Sequence, residues 1–202
     1  EPSAGADYAE MYPVAEGIEI GDVVITGTEM VKTYDTTDGI VDWTKEKGEI
    51  TQLVKSFAPY QKNTIGIVSD NYGDFTSAGH NIKDEDNPMP IALNGRVPVK
   101  ISSSSADIFP GDYLTTSTEP GRAMKAEGKG IVIGKALGFW RSELGTETVM
   151  VYVEQGYYDG TMFAGLEEEN STAESLLAFD AFVTDDMNLN LSALFSEGLS
   201  LG

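Results

Sequence analysis

The sequence contains no cysteine, a single histidine and few basic residues. Without cysteine it can form neither a disulfide nor a thiolate metal site, and His80 alone cannot build a histidine-based zinc site. Thirteen lysine and arginine residues stand against 33 aspartate and glutamate residues, which gives a formal net charge of −20 at pH 7. Because this excess repels phosphate backbones and anionic lipid, we expect no nucleic-acid partner.

Long apolar runs are also missing. No stretch reaches the length that crosses a bilayer, so we expect no membrane insertion. The chain does have 202 residues, of which 41% are apolar. That is enough to build a core for one large β domain, or for a domain with an appendage.

Short strand patterns dominate the first three quarters of the chain. They occur at 18–26, 64–69, 97–101, 130–137 and 148–153. The residues in them are β-branched or alternate between apolar and polar, and Gly, Pro and Asp turns separate them. Pro98 predicts that its strand lies at a sheet edge, because proline cannot donate to a ladder. The pattern predicts a mainly β fold, arranged as a compact β-roll or barrel-like domain.

Turn motifs precede several of these strands. A Gly-Asp pair occurs at Gly21-Asp22 and again at Gly111-Asp112, each followed by a strand pattern. Glycine supplies a positive φ there, and the aspartate can bond to its own backbone, so a structural role is sufficient for both. The segment 119–122, Glu-Pro-Gly-Arg, predicts a type II turn.

Two carboxylates near the N-terminus suggest chemistry. Asp7 and Glu10 stand three residues apart, after a Gly-Ala step. If the segment turns helically, both side chains lie on one face, close enough to share a proton, a substrate carbonyl or a water. The alternative is an acidic turn in which Asp7 caps a short helix. The pattern leaves both interpretations open.

Six blocks occur in a fixed order along the chain. They are Ala-Asp-Tyr-Ala-Glu-Met at 6–11, Gly-Asp-Val-Val at 21–24, Ile-Gly-Ile-Val-Ser at 65–69, Pro-Ile-Ala-Leu-Asn-Gly-Arg-Val-Pro-Val-Lys at 90–100, Pro-Gly-Asp-Tyr-Leu-Thr at 110–115 and Gly-Arg-Ala-Met-Lys-Ala at 121–126. With this set, the chain resembles the intramolecular-chaperone autoprocessing domains of phage neck appendages and tail spikes, which also occur in bacterial surface-fibre proteins. The resemblance covers roughly residues 5–158.

The resemblance implies a homotrimeric module at or near the end of an elongated β-fibre. Such a module helps the fibre strands find register, because an intertwined fibre must close long loops before its contacts stabilise it. In some members, self-cleavage of the glutamic-peptidase type then releases the module. Carried onto this sequence, the resemblance implies Asp7 and Glu10 as the catalytic pair, with the scissile bond just before Asp7. One carboxyl group would act as general acid or base and the other would polarise the carbonyl.

One position departs from the family pattern. Ala6 precedes Asp7 where a hydroxyl residue is often found, so no neighbouring side-chain oxygen can attack at that step. The bond between these two residues is also intact in this chain. We therefore expect the motif to shape the entrance of a trimer rather than to cut it. Whether the chain is an enzyme stays open.

The C-terminal part of the sequence has a different pattern. An acidic run at 167–169 is followed by a predicted short helix at 172–182. Apolar and polar residues then alternate at 187–192 and 199–202, as in the strands of a β-solenoid or an intertwined fibre. We predict an N-terminal segment with the Asp-x-x-Glu motif at 1–12 and a β-rich assembly domain at 13–165. An acidic linker, the helix and the start of a fibre-like repeat follow at 166–202, so we expect a module internal to a longer fibre protein.

Acidic loops offer oxygen ligands for calcium. The candidate ligands are Asp70, Asp74, Asp84 and Asp86. Neither loop has the EF-hand spacing, and acidic loops are more often simply solvated. We predict no cofactor, with calcium as the alternative.

The sequence supports three functional hypotheses. The first is a trimerisation and folding module of a phage tail fibre or bacterial surface fibre, partnered by its own copies and by the rest of the fibre. Its location would be extracellular, on a virion tail or a bacterial cell surface. The second is an active autoprotease that cuts just before Asp7. The third is an adhesin that binds a cell-surface glycan or receptor. Its aromatic candidates are Trp43, Trp140, Tyr157 and Tyr158, for which core packing is the more common use.

Overall fold

The computed structural model describes residues 7–70 and 81–160, which fall within a single unit, Glu1–Gly160. Strands make up 59% of the described residues, which contain no α-helix. The prediction of a mainly β fold is therefore confirmed. No helix in this part of the chain is long and apolar enough to cross a bilayer. The predicted helix at 172–182 and the fibre-like strands after it lie outside the described residues, as do Asp74 and His80.

The strands follow one another along the chain, and in the described connections between them the helices are short 3-10 turns at Asp84–Asp86 and Ser142–Leu144. They are β1 Asp7–Pro13, β2 Val23–Thr37, β3 Ile40–Lys55, β4 Thr64–Val68, β5 Pro88–Lys100, β6 Tyr113–Thr116, β7 Ala123–Lys125, β8 Gly130–Ala136 and β9 Thr148–Tyr158. They form one open antiparallel sheet in the order β3-β2-β4-β5-β9-β8-β6-β7, and β1 pairs with β5. The ladders trace an open sheet, and isolated bridges at Val14–Leu53 and Ile101–Ala123 connect the ends of β1 and β5 with β3 and β7. The closure into a roll or barrel stays a prediction.

The strand β5 is the best connected of the sheet. It pairs with β1 along residues 88–95, with β4 near its middle and with β9 along residues 95–100. The edge position predicted from Pro98 is therefore wrong. The proline is tolerated because its nitrogen faces away from β9. The N–H of Lys100, two residues further on and thus on the same side, donates to the Gly21 carbonyl at 3.0 Å.

The middle of the sheet is buried on both faces. Neighbouring residues of β2, β4 and β5 alternate between two hydrophobic clusters, so that Val23 belongs to one and Val24 to the other. Along β5 and β9, the larger cluster contains Val97, Val99, Val149, Val151 and Val153. This double burial explains the nearly continuous apolar sequence of β4, because a strand covered on both faces has no solvent side to make polar.

The strands β2 and β3 form a long hairpin whose outer half leaves the sheet. Because β4 pairs with β2 only along Val23–Ile25, residues 28–50 form a two-stranded ribbon, here called the arm. Its tip is a two-residue turn at Asp38 and Gly39, whose φ angles of 53° and 77° are those of a type I′ turn. The strand pattern of the sequence does not reveal this hairpin. The Asp-Gly pair between β-branched residues is the feature that identifies it.

A buried aspartate joins distant parts of the chain. Asp22 is 1% exposed, and its carboxylate pairs with Lys55 and with Lys100, each at 2.9 Å. The Glu19 N–H also donates to it at 2.9 Å. Burial acts to lower the pKa of Lys100, but hydrogen bonds to Glu19 and Asp22 outweigh this and raise the pKa above 10.5. Gly121 packs against the same carboxylate, and a Cβ there would lie 2.8 Å from Oδ1 of Asp22.

Candidate functional site

The predicted catalytic pair lies on β1, and the strand puts the two side chains on opposite faces. Asp7 and Ala9 are buried, whereas Tyr8 is exposed. Glu10 lies on the side of Tyr8, whose hydroxyl donates to Oε1 of Glu10 at 2.8 Å. Successive strand residues point to opposite faces, so residues three apart do too. The helical arrangement expected for Asp7 and Glu10 is therefore not formed, and neither is a helix that Asp7 could cap.

Asp7 is a buried carboxyl group with little to stabilise its charge. It is 8% exposed, and neither carboxylate oxygen is in hydrogen-bond geometry with a described residue. Burial raises the pKa of Asp7 above its ordinary 3.8. The nearby Ser69 hydroxyl acts to lower this pKa, and the charge of Asp70 acts to raise it. Asp7 therefore holds its proton more readily than an exposed aspartate, which is a property of general acids.

Glu10 is held between two tyrosine hydroxyls. Tyr8 donates to Oε1 at 2.8 Å, and Tyr12 donates to Oε2 at 3.4 Å. Burial, followed by the negative charge of Glu10, raises the pKa of Tyr12 above 10.0. The phenol of Tyr12 thus stays protonated at neutral pH and stays a donor. These bonds orient Glu10 as an acceptor on the outer side of β1, where it cannot share a proton with Asp7 of the same chain.

Three of the four calcium candidates are described, and the structure does not gather them into a cluster of three. Asp84 and Asp86 lie in a 3-10 helix without a buried residue, and Asp70 follows β4. Within residues 7–70 and 81–160, no group of three or more His, Cys, Asp or Glu side chains is placed to hold a metal ion. The fourth candidate, Asp74, lies outside these ranges.

The aromatic residues of the predicted sugar platform occupy different environments. Trp140 is 4% exposed, and its Nε1–H donates to the Thr146 carbonyl at 2.8 Å. This tryptophan therefore belongs to the core and not to a platform. Tyr158 packs against the Tyr113 ring at 5.1 Å. Trp43 remains exposed on the arm.

The solvent face of β8 and β9 carries apolar side chains. Along β9, the valines at alternate positions point into the core, so Met150 and Tyr152 point outward. The N–H of Leu137, just after β8, donates to the Met150 carbonyl at 2.8 Å. Phe139 follows two residues later in the bend after β8, is 63% exposed, and its ring contacts Phe109 edge-on at 5.9 Å. We call these five residues the outer patch. For Met150 and Tyr152, the outward orientation can be predicted from the sequence, because they alternate with the valines of β9.

Basic side chains surround the outer patch. Tyr152 pairs with Arg96 on β5 and with Lys135 on β8. Arg141 lies over the ring of Phe109, 5.6 Å from its centroid. Lys135 and Arg141 have carboxylate partners at 3.5 and 3.1 Å, whereas Arg96 makes no ion pair with a described residue. The outer patch is therefore an apolar surface with a basic rim, in a chain that is strongly acidic.

Comparison of the chain with protein-family models gives no match, and comparison with curated proteins gives none either. Function is therefore inferred from the arrangement of residues. Among the described residues, the buried carboxyl of Asp7 and the outer patch are two features that folding of a single chain does not require.

Proposed function

We propose that the chain is a homotrimerisation and folding module of a phage tail fibre or bacterial surface fibre, acting outside the cell on a virion tail or cell surface. The observation that carries this proposal is the outer patch. One face of an antiparallel sheet normally turns polar residues to water, but here that face holds residues such as Met150 and Phe139. Contiguous exposed apolar surface is typical of a face that an assembly covers.

The six sequence blocks support the fibre context. The block at 90–100 is most of the central strand β5, the block at 21–24 contains the buried Asp22, and the block at 121–126 contains Gly121, which packs on it. The blocks thus coincide with residues that hold the fold together. The apolar alternation at 187–192 and 199–202 would continue the module into solenoid or fibre strands, with the rest of the fibre protein as a partner.

The oligomeric state of the chain tests this proposal. We expect the mass of three chains in native mass spectrometry and in light scattering after size exclusion. Dilution should dissociate the trimer without unfolding the sheet, as circular dichroism would show. A monomer at all concentrations where the chain is soluble would contradict the proposal.

The alternative function is an autoprotease that cuts just before Asp7. The buried carboxyl of Asp7 favours it, because a raised pKa suits a group that protonates a leaving amide. The position of Glu10 on the other face of β1 argues against a pair acting within one chain. Intact-mass measurement over time, on the chain and on Asp7→Asn and Glu10→Gln, separates the two functions. A single uncut species in all three proteins would contradict the autoprotease.

A further inference from the structure

We propose that the arm of a second copy of this chain docks on the outer patch, so that the interface joins two different surfaces of the protein. This inference rests on the proposed function, since it names the surfaces through which the copies assemble. It predicts contacts of residues 28–50 of one copy with β8, β9 and the Phe109 turn of the next.

The arm presents apolar side chains that the described residues leave exposed. Ile40 at the tip is 74% exposed, Met30 is 56% exposed and Trp43 is 49% exposed. A two-stranded ribbon beyond the sheet is marginally stable in water by itself. Burial of these side chains against another apolar surface would stabilise both the ribbon and the assembly.

The backbone of the arm favours docking through side chains over addition of a strand. Between two consecutive residues of β2, the partner on β3 changes from Asp42 to Glu46, so residues 43–45 bulge out of the ladder. A bulge interrupts the row of free backbone groups at a sheet edge, which hinders pairing with another strand, and it redirects side chains. Here the bulge contains Trp43, whose ring is braced edge-on against buried Tyr34 at 5.3 Å.

The charges of the two surfaces are complementary. The arm carries six carboxylates against three lysines. The carboxylates are Glu29, Asp35, Asp38, Asp42, Glu46 and Glu49, and the lysines are Lys32, Lys45 and Lys47. Arg96, Lys135 and Arg141 line the rim of the outer patch. Lys135 and Arg141 are paired with Glu154 and Asp107, so these side chains together keep an excess of one positive charge, which Arg96 supplies. An acidic arm with an apolar tip thus fits an apolar patch with a basic rim.

Docking of two different surfaces has a geometric consequence. Such a head-to-tail contact repeats around an axis and closes into a ring when the rotation per copy allows it. A trimer is one of these rings. Docking of the outer patch on itself would instead give a two-fold dimer, in which the arm has no part.

The absence of cysteine makes a cross-linking experiment specific. The full chain with Ile40→Cys and Phe139→Cys is treated with a short bismaleimide, and the products are separated on a denaturing gel. We expect covalent dimers and trimers, with the linked peptides identified by mass spectrometry as those containing residues 40 and 139. The chain with Ile40→Cys and Phe57→Cys is the matched control, because Phe57 is a 60% exposed aromatic residue outside both surfaces. It should stay uncross-linked.

Two further variants show which surfaces meet. Phe139→Cys alone should give no covalent dimer, and a dimer from this variant would show patch-on-patch docking and overturn the proposal. Phe139→Asp should weaken assembly by roughly tenfold or more, as expected at the centre of an interface, whereas Phe57→Asp should leave it unchanged. A wild-type monomer would refute the proposed function itself. A wild-type trimer that lacks the 40–139 cross-link and tolerates Phe139→Asp would refute only the docking of the arm on the outer patch.

Discussion

The turns at Glu19–Asp22 and Phe109–Asp112 have the same hydrogen bonds in different surroundings. In each turn, the aspartate N–H donates to the carbonyl three residues earlier, at 3.1 and 3.0 Å. The carboxylate accepts from the N–H of that same residue, at 2.9 and 2.8 Å. Asp22 is buried against two lysines, whereas the Asp112 side chain is 16% exposed and pairs with Lys125 at 2.8 Å. One local motif therefore serves as a link through the core in one place and as an ordinary turn in the other.

The largest expected effect comes from removing the charge at the buried turn. Asp22→Asn leaves Lys55 without its carboxylate and Lys100 with only Glu19, at 2.7 Å, although the amide oxygen can still accept the Glu19 N–H. Removing one partner of a buried ion pair costs about 3–5 kcal/mol of stability. Because the Lys55 side chain is 29% exposed, we expect a loss near the lower end of this range. Asp112→Asn is the matched control with one lysine partner instead of two and should cost less, about 1–2 kcal/mol. Urea unfolding at fixed protein concentration measures both, and equal losses would show that the surroundings of the turn do not matter.

A second prediction concerns the glycine that packs on Asp22. Gly121 has a φ of +73°, and a Cβ there would lie 2.8 Å from Oδ1 of Asp22, so Gly121→Ala strains the backbone and also displaces the buried carboxylate. Gly111 has a φ of +94° but nothing within 4 Å of the added Cβ. Gly111→Ala should therefore cost only the backbone strain, about 1–2 kcal/mol. Gly121→Ala should cost about 2 kcal/mol more, because the core has to shift.

A further experiment tests the cause of the difference between the two alanine variants, whatever the size of that difference. If the added cost of Gly121→Ala arises from contact with Asp22, it should shrink in the Asp22→Ala background, which removes the carboxylate that the added Cβ meets. A double-mutant cycle from thermal unfolding gives this coupling. Additive losses would contradict the contact as the cause.

The smallest expected effect has the opposite sign and involves Asp7. Its pKa is raised in the folded chain, so the folded state binds the proton more tightly than the unfolded state does. The stability that the protonated carboxyl contributes is fully present below pH 3.8, the pKa of this group in the unfolded chain. It is lost as the pH rises through the higher pKa of the folded chain. Asp7→Asn should therefore raise the urea midpoint at neutral pH and leave it nearly unchanged at roughly pH 3, below both values.

A surface carboxylate provides the control for this pH dependence. Glu16→Gln removes the same charge from an exposed position after β1, and it should not reproduce the gain at neutral pH. A loss of stability in Asp7→Asn at neutral pH would mean that the charge of Asp7 is paired in the folded chain. Asp7 would then resemble Asp22 and Asp112, whose carboxylates are paired with lysines.

The sequence predicts the strands that are locally apolar and well bounded. The segments 64–69, 130–137 and 148–153 are found as β4, β8 and β9, because β-branched residues between glycine and aspartate turns leave little alternative. The arm is different, because β3 is highly charged and only its Asp-Gly turn indicates a strand. Pro98 shows the limit of a single-residue rule, since a proline is tolerated in an interior strand when its nitrogen faces away from the ladder.

The candidate site was less predictable, for a physical reason. The spacing of Asp7 and Glu10 fits one face of a helix, but β5, more than eighty residues away in the chain, pairs with this segment and makes it a strand. Such non-local pairing overrides local patterns. For Trp140, the expectation of core packing is confirmed, whereas Trp43 of the same group is exposed. The outward direction of Met150 and Tyr152, in contrast, follows from the alternation within β9 alone.

The central place of β5 also determines when this unit can fold during synthesis. Its partners include β1, which starts at Asp7, and β9, which ends at Tyr158. A chain leaving the ribosome with its N-terminus first must therefore release β9 before the inward valines of β5 are covered. We therefore expect the unit to fold only after β9 has left the ribosome, and a nascent chain that stops before Thr148 to expose Val97 and Val99 to chaperones or to other nascent chains.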